Sequence, residues 1–155
     1  MPDYPRGLLR WGLRLPIWLY RVHLGWLLGE RFLLLEHVGR RSGCKRQAVI
    51  EVVKHDPESD SYFVVSGWGR RSDWFQNLKR IGEATIWVGR RRLQVHAQEI
   101  STEEATDVLA DYTRRYPRAF KELTRLFLGE ALPPGRASSR KLAERMPMVA
   151  FRRLA

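Results

Sequence analysis

Cysteine is almost missing from this chain of 155 residues, where Cys44 stands alone. One thiol leaves no disulfide framework within the chain and no cysteine cluster for zinc, and such usage points to a reducing cytoplasm. Long apolar runs are missing too. Arg10, Arg14, Arg21 and His23 interrupt the apolar stretch from Leu8 to Leu28, whose longest unbroken run is Leu15 to Tyr20, and no small-residue cleavage site follows. Neither a membrane span nor a signal peptide is expected. The four histidines, His23, His37, His55 and His96, fall on separate expected elements with no i, i+4 pair and no HExxH frame, so no metal site is expected. No GxSxG frame surrounds a serine and no serine or cysteine triad suggests itself, which argues against hydrolysis. Acid is scarce beside base: 17 Asp and Glu face 28 Lys and Arg, a net charge of +11. That balance suits an anionic partner, whether nucleic acid, acidic lipid or a phosphorylated small molecule. With no repeat, low-complexity tract or linker, residues 1–155 are expected to form one domain, long enough to bury about two-thirds of its unfolded surface.

What is present reads as a mainly β protein with helices, of the α+β class. Strand patterns run over Phe32–Val38, Arg46–His55, Ser61–Ser66, Ala84–Val88, Leu93–Ile100 and Met148–Phe151, joined by turns short enough for antiparallel pairing. Leu93, Val95 and Ala97 alternate with Gln94, His96 and Gln98, so that hairpin should bury one face; Arg90, Arg91 and Arg92 at its tip read as a solvated charge run. Ser72 or Asp73 is placed to cap a brief helix through Ile81. Ser101-Thr102-Glu103-Glu104 has capping-box spacing for a helix to about Arg115, Pro117 opens another ending near Gly129, and Arg140 to Arg145 makes a short third. The C-terminal helices thus span 102–145. At the other end, residues 6–28 read as one or two helices jointed at Pro16, with Leu9, Leu13, Ile17, Tyr20, Leu24 and Leu27 on roughly one face. Packing on the sheet, a homodimer contact, or peripheral docking of residues 8–28 on a membrane would each use that face.

Two loops carry the chemistry. Gly39-Arg40-Arg41-Ser42-Gly43 and Ser66-Gly67-Trp68-Gly69-Arg70-Arg71-Ser72 each follow a strand, and each sets bare backbone N–H groups beside guanidinium charge, the composition of an anion pocket. Gly67, Gly69 and Ser72 nearly spell the dinucleotide fingerprint. The third glycine is missing, and the strands that follow form a hairpin where a Rossmann unit needs a parallel crossover. Anion binding by glycine-rich backbone at a helix N-terminus does not need that fold. Trp68, Trp74 and Phe75 cluster round one loop instead of alternating along a strand, which fits the wall of a ring-sized pocket better than a platform for single-stranded nucleic acid. Trp74 serves equally well as core.

Leu33 to Gly43, then Arg46, then Ser66 to Leu78 with its Asp-Trp-Phe-Gln-Asn-Leu ending, together resemble the deazaflavin-dependent nitroreductase family, which uses coenzyme F-420. The resemblance covers roughly Phe32 to Glu99. It implies a six-stranded split β-barrel of the FMN-binding split-barrel kind, an open α+β sheet being the alternative fold. It further implies hydride transfer from the reduced coenzyme to an electron-poor acceptor such as a quinone, enone or nitroaromatic, with FMN as the alternative cofactor. Carried over residue by residue, it puts Arg40, Arg41, Ser42 and Arg46 round the coenzyme phosphate, Val49 and Ile50 beneath the ring, Ser66, Gly67, Trp68 and Gly69 along its other side, and Trp74 and Asn77 in support. Because the cofactor carries the chemistry, the protein need add only orientation, anchoring and one hydroxyl to polarise the acceptor, for which Ser66 and Tyr116 are the candidates. The rival class is a non-catalytic binder of an anionic ligand, either a cofactor carrier or a nucleic-acid module.

Overall fold

Alternation along six short strands decides the architecture, because side chains at every second position must share one interior. The computed structural model describes residues 31–66 and 69–154, so the helical segment expected over 6–28 lies outside the described residues. Strands β1 (Phe32–Val38), β2 (Lys45–Asp56), β3 (Ser61–Val65), β4 (Glu83–Val88), β5 (Arg91–Glu99) and β6 (Met148–Arg153) close into a barrel in the order β1-β2-β3-β6-β5-β4. Every neighbouring pair is antiparallel. β4 returns to β1 through Leu34–Trp87 and Leu35–Ile86, so the sheet has no ends and the open-sheet alternative is excluded.

Inward positions fill the barrel: Leu33, Leu35, Ile50, Val52, Tyr62, Val64, Ile86, Val88, Leu93, Val95, Val149 and Phe151 form one cluster. Helix α1 (Asp73–Arg80) adds Phe75 and Leu78 to it and so corks one end. Each such side chain contributes about 1.5–3 kcal/mol by leaving water, and truncating Phe75 to alanine, at 1% exposure, would cost about 3–5 kcal/mol. The outward residues Val53, Phe63, Val65, Met148 and Ala150 make a second core beneath α2 (Thr102–Arg115), α3 (Pro117–Leu128) and α4 (Arg136–Arg145). Alternation lets β2 serve both cores, with Val52 inside and Val53 outside, and a bulge between Val52 and Lys54 then shifts the register against β3.

Three local expectations change. Ser72 occupies the N-cap of α1, but it is the Ser72 backbone carbonyl that accepts the Gln76 N–H (3.0 Å), and no side chain caps that helix. Helix α4 begins at Arg136, not Arg140, because the buried Ser139 hydroxyl donates back to the Gly135 carbonyl (2.7 Å) and holds the first turn. The hairpin arginines are not simply solvated, since Arg91 pairs with Asp60 and Arg92 lies 5.7 Å from the centre of the Trp87 ring. The Ser101 cap is as expected, its Oγ accepting from the Glu104 N–H at 3.1 Å. No helix among the described residues is long and apolar enough to cross a membrane.

Candidate cofactor cleft along the open edge of β2

From Lys45 to Glu51 strand β2 pairs with β1 alone, because β3 joins it only from Val52 onward. Beyond Val65 the chain leaves the sheet at Ser66 and, after a short 3-10 turn over Gly69–Arg71, enters α1. Among the described residues the barrel is therefore split along the first half of β2. The turn 39–44 stands at one end of that split and the last turn of α2 at the other.

The turn is tightly built. Gly39 N–H donates to the Cys44 carbonyl (2.8 Å) and Gly43 N–H to the Gly39 carbonyl (2.9 Å), while Ser42 Oγ accepts the Cys44 N–H (3.2 Å). Gly43 adopts φ +70°, which favours glycine, and a Cβ on Gly39 would lie 2.6 Å from Ser42 Oγ and displace the hydroxyl that holds the turn. Arg40 leans onto α1: its backbone N–H (3.0 Å) and its Nη1 (2.9 Å) both donate to Asn77 Oδ1, and Nη1 stands 3.6 Å from Asp73 Oδ1. Since two donors claim the Asn77 oxygen, its Nδ2 must be the group facing His37 Nδ1 at 2.9 Å. That fixes His37 as an acceptor at Nδ1, neutral, with its proton on Nε2. The same conclusion follows electrostatically, because burial above all, and the Arg46 charge next, hold the His37 pKa down to about 4, with Asp73 pulling the other way. Arg41, Ser42 and Arg46 remain exposed on the rim, and neither arginine has a carboxylate partner among the described residues.

Val49 and Ile50 part company. Ile50 points into the barrel at 8% exposure, whereas Val49 sits half-buried on the outer face with Gln47 and Glu51. Ser66 is fully buried and its hydroxyl donates to the Gly69 carbonyl at 2.7 Å, so it shapes the loop and has no exposed face to offer an acceptor. Gly69 is buried beside it, while Gly67 and Trp68 lie outside the described residues. Trp74 is half-buried, packs on the barrel core and meets Phe75 edge-on, ring centres 6.2 Å apart. Tyr116 is 45% exposed, its ring 5.5 Å from that of Tyr112 and 5.5 Å from the Arg31 guanidinium. The buried Tyr112 hydroxyl donates to Glu51 Oε1 at 2.6 Å. Burial first, and then Glu51, push the Tyr112 pKa upward, so the phenol keeps its proton.

A sequence model described as F420H(2)-dependent quinone reductase matches residues 14–124, well over half of the chain. The chain belongs to that family. It is therefore an oxidoreductase that uses coenzyme F-420 as hydride donor to an electron-poor acceptor, and the resemblance seen in the glycine-arginine turn and the Trp-Phe-Gln-Asn-Leu helix was to the right group. No curated protein matches the chain. Solved structures agree on the fold. An F420-H2 dependent reductase is 19% identical, with 79% of this chain and 95% of that one covered at a TM-score of 0.54. A structure described as a domain-swapped dimer is 18% identical, covering 88% and 98% at 0.54. A pyridoxamine 5'-phosphate oxidase-related, FMN binding protein from Nostoc punctiforme is 13% identical, covering 96% and 81% at 0.52.

The donor set of this reductase fits a phosphorylated coenzyme. Two exposed arginines with no carboxylate partner among the described residues flank a serine and a positive-φ glycine at the mouth of the split, which is the chemistry a phosphate ester needs. Sequence reasoning passed over His37, Glu51, Tyr112 and Arg31 as site residues. The Tyr112–Tyr116 spacing of four, at the end of a helix, was the one readable signal for that corner.

Proposed function

We propose that the reduced coenzyme lies along the open edge of β2, its phosphate on Arg41, Ser42 and Arg46, and that the acceptor stacks beyond it toward Tyr116. The observation that carries this is the pair of guanidinium groups, uncompensated among the described residues, at the mouth of a split strand edge. From Arg46 to Val49 is three residues, roughly 10 Å of strand, a span suited to a phosphate at the rim and a ring over Val49. When bound, the coenzyme supplies the hydride. Arg41 and Arg46 anchor and neutralise the phosphate; Arg40, locked by Asn77 and Asp73, holds the turn in shape. The outer face of β2 orients the ring. The exposed Tyr116 hydroxyl polarises the acceptor carbonyl, a role for which the engaged Ser66 hydroxyl is unsuited.

Charge-assisted hydrogen bonds contribute about 1.5–3 kcal/mol each, so Arg41→Ala or Arg46→Ala should weaken coenzyme binding on the order of 10- to 100-fold. Arg140→Ala is the control, since it removes only an exposed i, i+4 partner of Glu144 on α4. Tryptophan quenching with coenzyme F-420, and with FMN in parallel, reads the result; equal slight losses in all three variants would mean that net charge alone attracts the ligand. Reoxidation of the reduced coenzyme by menadione then separates an enzyme from a carrier.

Two coarser features complete the reading. The protein works in the cytoplasm, which the lone Cys44 supports. It pairs as a homodimer, supported by the fold relative described as a domain-swapped dimer; sedimentation as a monomer at micromolar concentration would reject this. If residues 8–28 also touch membranes, the protein will co-sediment with anionic vesicles at low salt and leave them as salt rises.

A further inference from the structure

Glu51 is an acid in a basic cleft, and its surroundings are asymmetric. Both contacts that hold it fall on one oxygen: the Tyr112 hydroxyl donates to Oε1 at 2.6 Å, and Arg31 Nη2 stands 3.8 Å from the same atom. Tyr112 is 2% exposed and keeps its proton, so it is a permanent donor that fixes the rotation of the carboxylate. Oε2 has no protein partner among the described residues, and the Glu51 side chain is 26% exposed. The residue shares the outer face of β2 with Val49, two positions or roughly 7 Å away. The Tyr116 ring, reached through Arg31 and Tyr112, lies at the same corner. The other carboxylate on this outward face of the neighbouring strand, Glu36, accepts from Trp87 Nε1 at 2.9 Å.

An oriented acceptor oxygen beside an exposed aromatic ring has one obvious use. We propose that Glu51 determines acceptor specificity: its Oε2 receives a hydrogen bond from an N–H or O–H group of the hydride acceptor, and Tyr112 positions it to do so. Acceptors with a donor substituent on the ring are thereby favoured over the same skeleton without one, and acceptors bearing an acid are disfavoured. An acceptor lacking a donor leaves a half-buried carboxylate oxygen facing apolar surface, which is the arrangement that discriminates most strongly. This rests on the placement of coenzyme and acceptor proposed above, but it makes its own demand on the protein.

The test is a matched pair of quinones, menadione and its analogue with an amino group in place of the methyl group, which are nearly equal in size and differ in one donor. Their dissociation constants are measured by tryptophan quenching in the presence of saturating oxidised coenzyme F-420, where no turnover occurs. The wild-type protein should bind the amino analogue on the order of 10-fold more tightly. In Glu51→Gln the Tyr112 hydroxyl will still claim the side-chain oxygen, so the amide NH2 takes the place of Oε2 and the preference should vanish or reverse. Tyr112→Phe should shrink the preference without reversing it. Adding Tyr112→Phe to Glu51→Gln frees the amide to rotate and should restore part of it, an effect that a merely structural role would not give. Equal affinity for both quinones in the wild type, quenching by neither, the same preference in Glu51→Gln, or a Glu51→Gln effect on coenzyme affinity in place of the quinone ratio would each overturn the proposal. Failure of the Arg41 and Arg46 titrations would instead count against the coenzyme placement, and the two results are read separately.

Discussion

Arginines crowd both ends of this barrel, and they do opposite things. At the end away from α1, Asp60 gathers them in: Arg91 Nη1 donates to its Oδ1 (3.1 Å), Arg153 Nη1 reaches Oδ2 (3.5 Å), and His55 Nε2 meets Oδ1 (3.1 Å) while its ring stacks on Tyr62 at 4.2 Å. Asp60 accepts a strained φ of +52° to stand there. At the α1 end, Arg40 is tied to Asp73 and Asn77 and Arg70 to Glu99, whereas Arg41 and Arg46 meet no acid among the described residues. The two ends have similar composition. What separates structural charge from binding charge is whether the fold has already supplied the counter-ion.

Asn77→Ala should have the largest effect on this contrast. It removes the acceptor for two Arg40 donors and the donor to buried His37, which should cost about 3 kcal/mol in urea unfolding and, by loosening the turn, roughly 10-fold in coenzyme affinity. An unchanged affinity would show that Arg41 and Arg46 need no braced turn. His37 comes next. Its folded pKa of about 4 lies below its ordinary value of 6.5, so between those values the unfolded chain binds more protons than the fold. Stability should therefore be complete above about pH 6.5 and fall as pH drops toward 4, by about 2 kcal/mol after allowance for screening; His37→Gln should flatten that slope. The smallest effect belongs to the far end. Asp60→Asn should lower stability by at most about 1 kcal/mol and leave coenzyme affinity unchanged, and a loss of affinity like that of Asn77→Ala would erase the distinction between the two ends. Hydrogen bonds from Arg91 first, and also from His55, hold the Asp60 pKa at about 2, so its contribution is present above about pH 4 and is lost as pH falls through 2.

Much of this was readable in the order of residues. Period-two alternation in Leu93 to Ala97 and the continuous apolar runs of β1 and β3 located the strands, because one barrel face must be dry. Gly39 to Gly43 announced its turn through its glycines. The failures were non-local. Nothing near Ser66 says that its hydroxyl will be buried against Gly69, which follows only from β3 running on into a closed loop. Asn77 shows as a polar residue on a short helix, yet its meaning lies 40 positions back at His37 and 37 back at Arg40. Glu51 and Tyr112 meet across a separation of 61 residues. The bulge after Val52 is invisible too, since Val-Val reads equally well as one more step of a strand.

The open half of β2 has a consequence for how the protein behaves in a crowd. Seven residues of backbone from Lys45 to Glu51, unpaired on one side among the described residues, form a template onto which a strand of another molecule could zip. The like charges of Arg41, Lys45 and Arg46 at its tip make that encounter repulsive, so the groups proposed to hold a phosphate also keep neighbouring copies apart. Neutralising them should raise light scattering in concentrated solution, and coenzyme, by covering the edge, should suppress it. On the proposed placement of the coenzyme, colloidal stability and cofactor binding draw on the same few atoms.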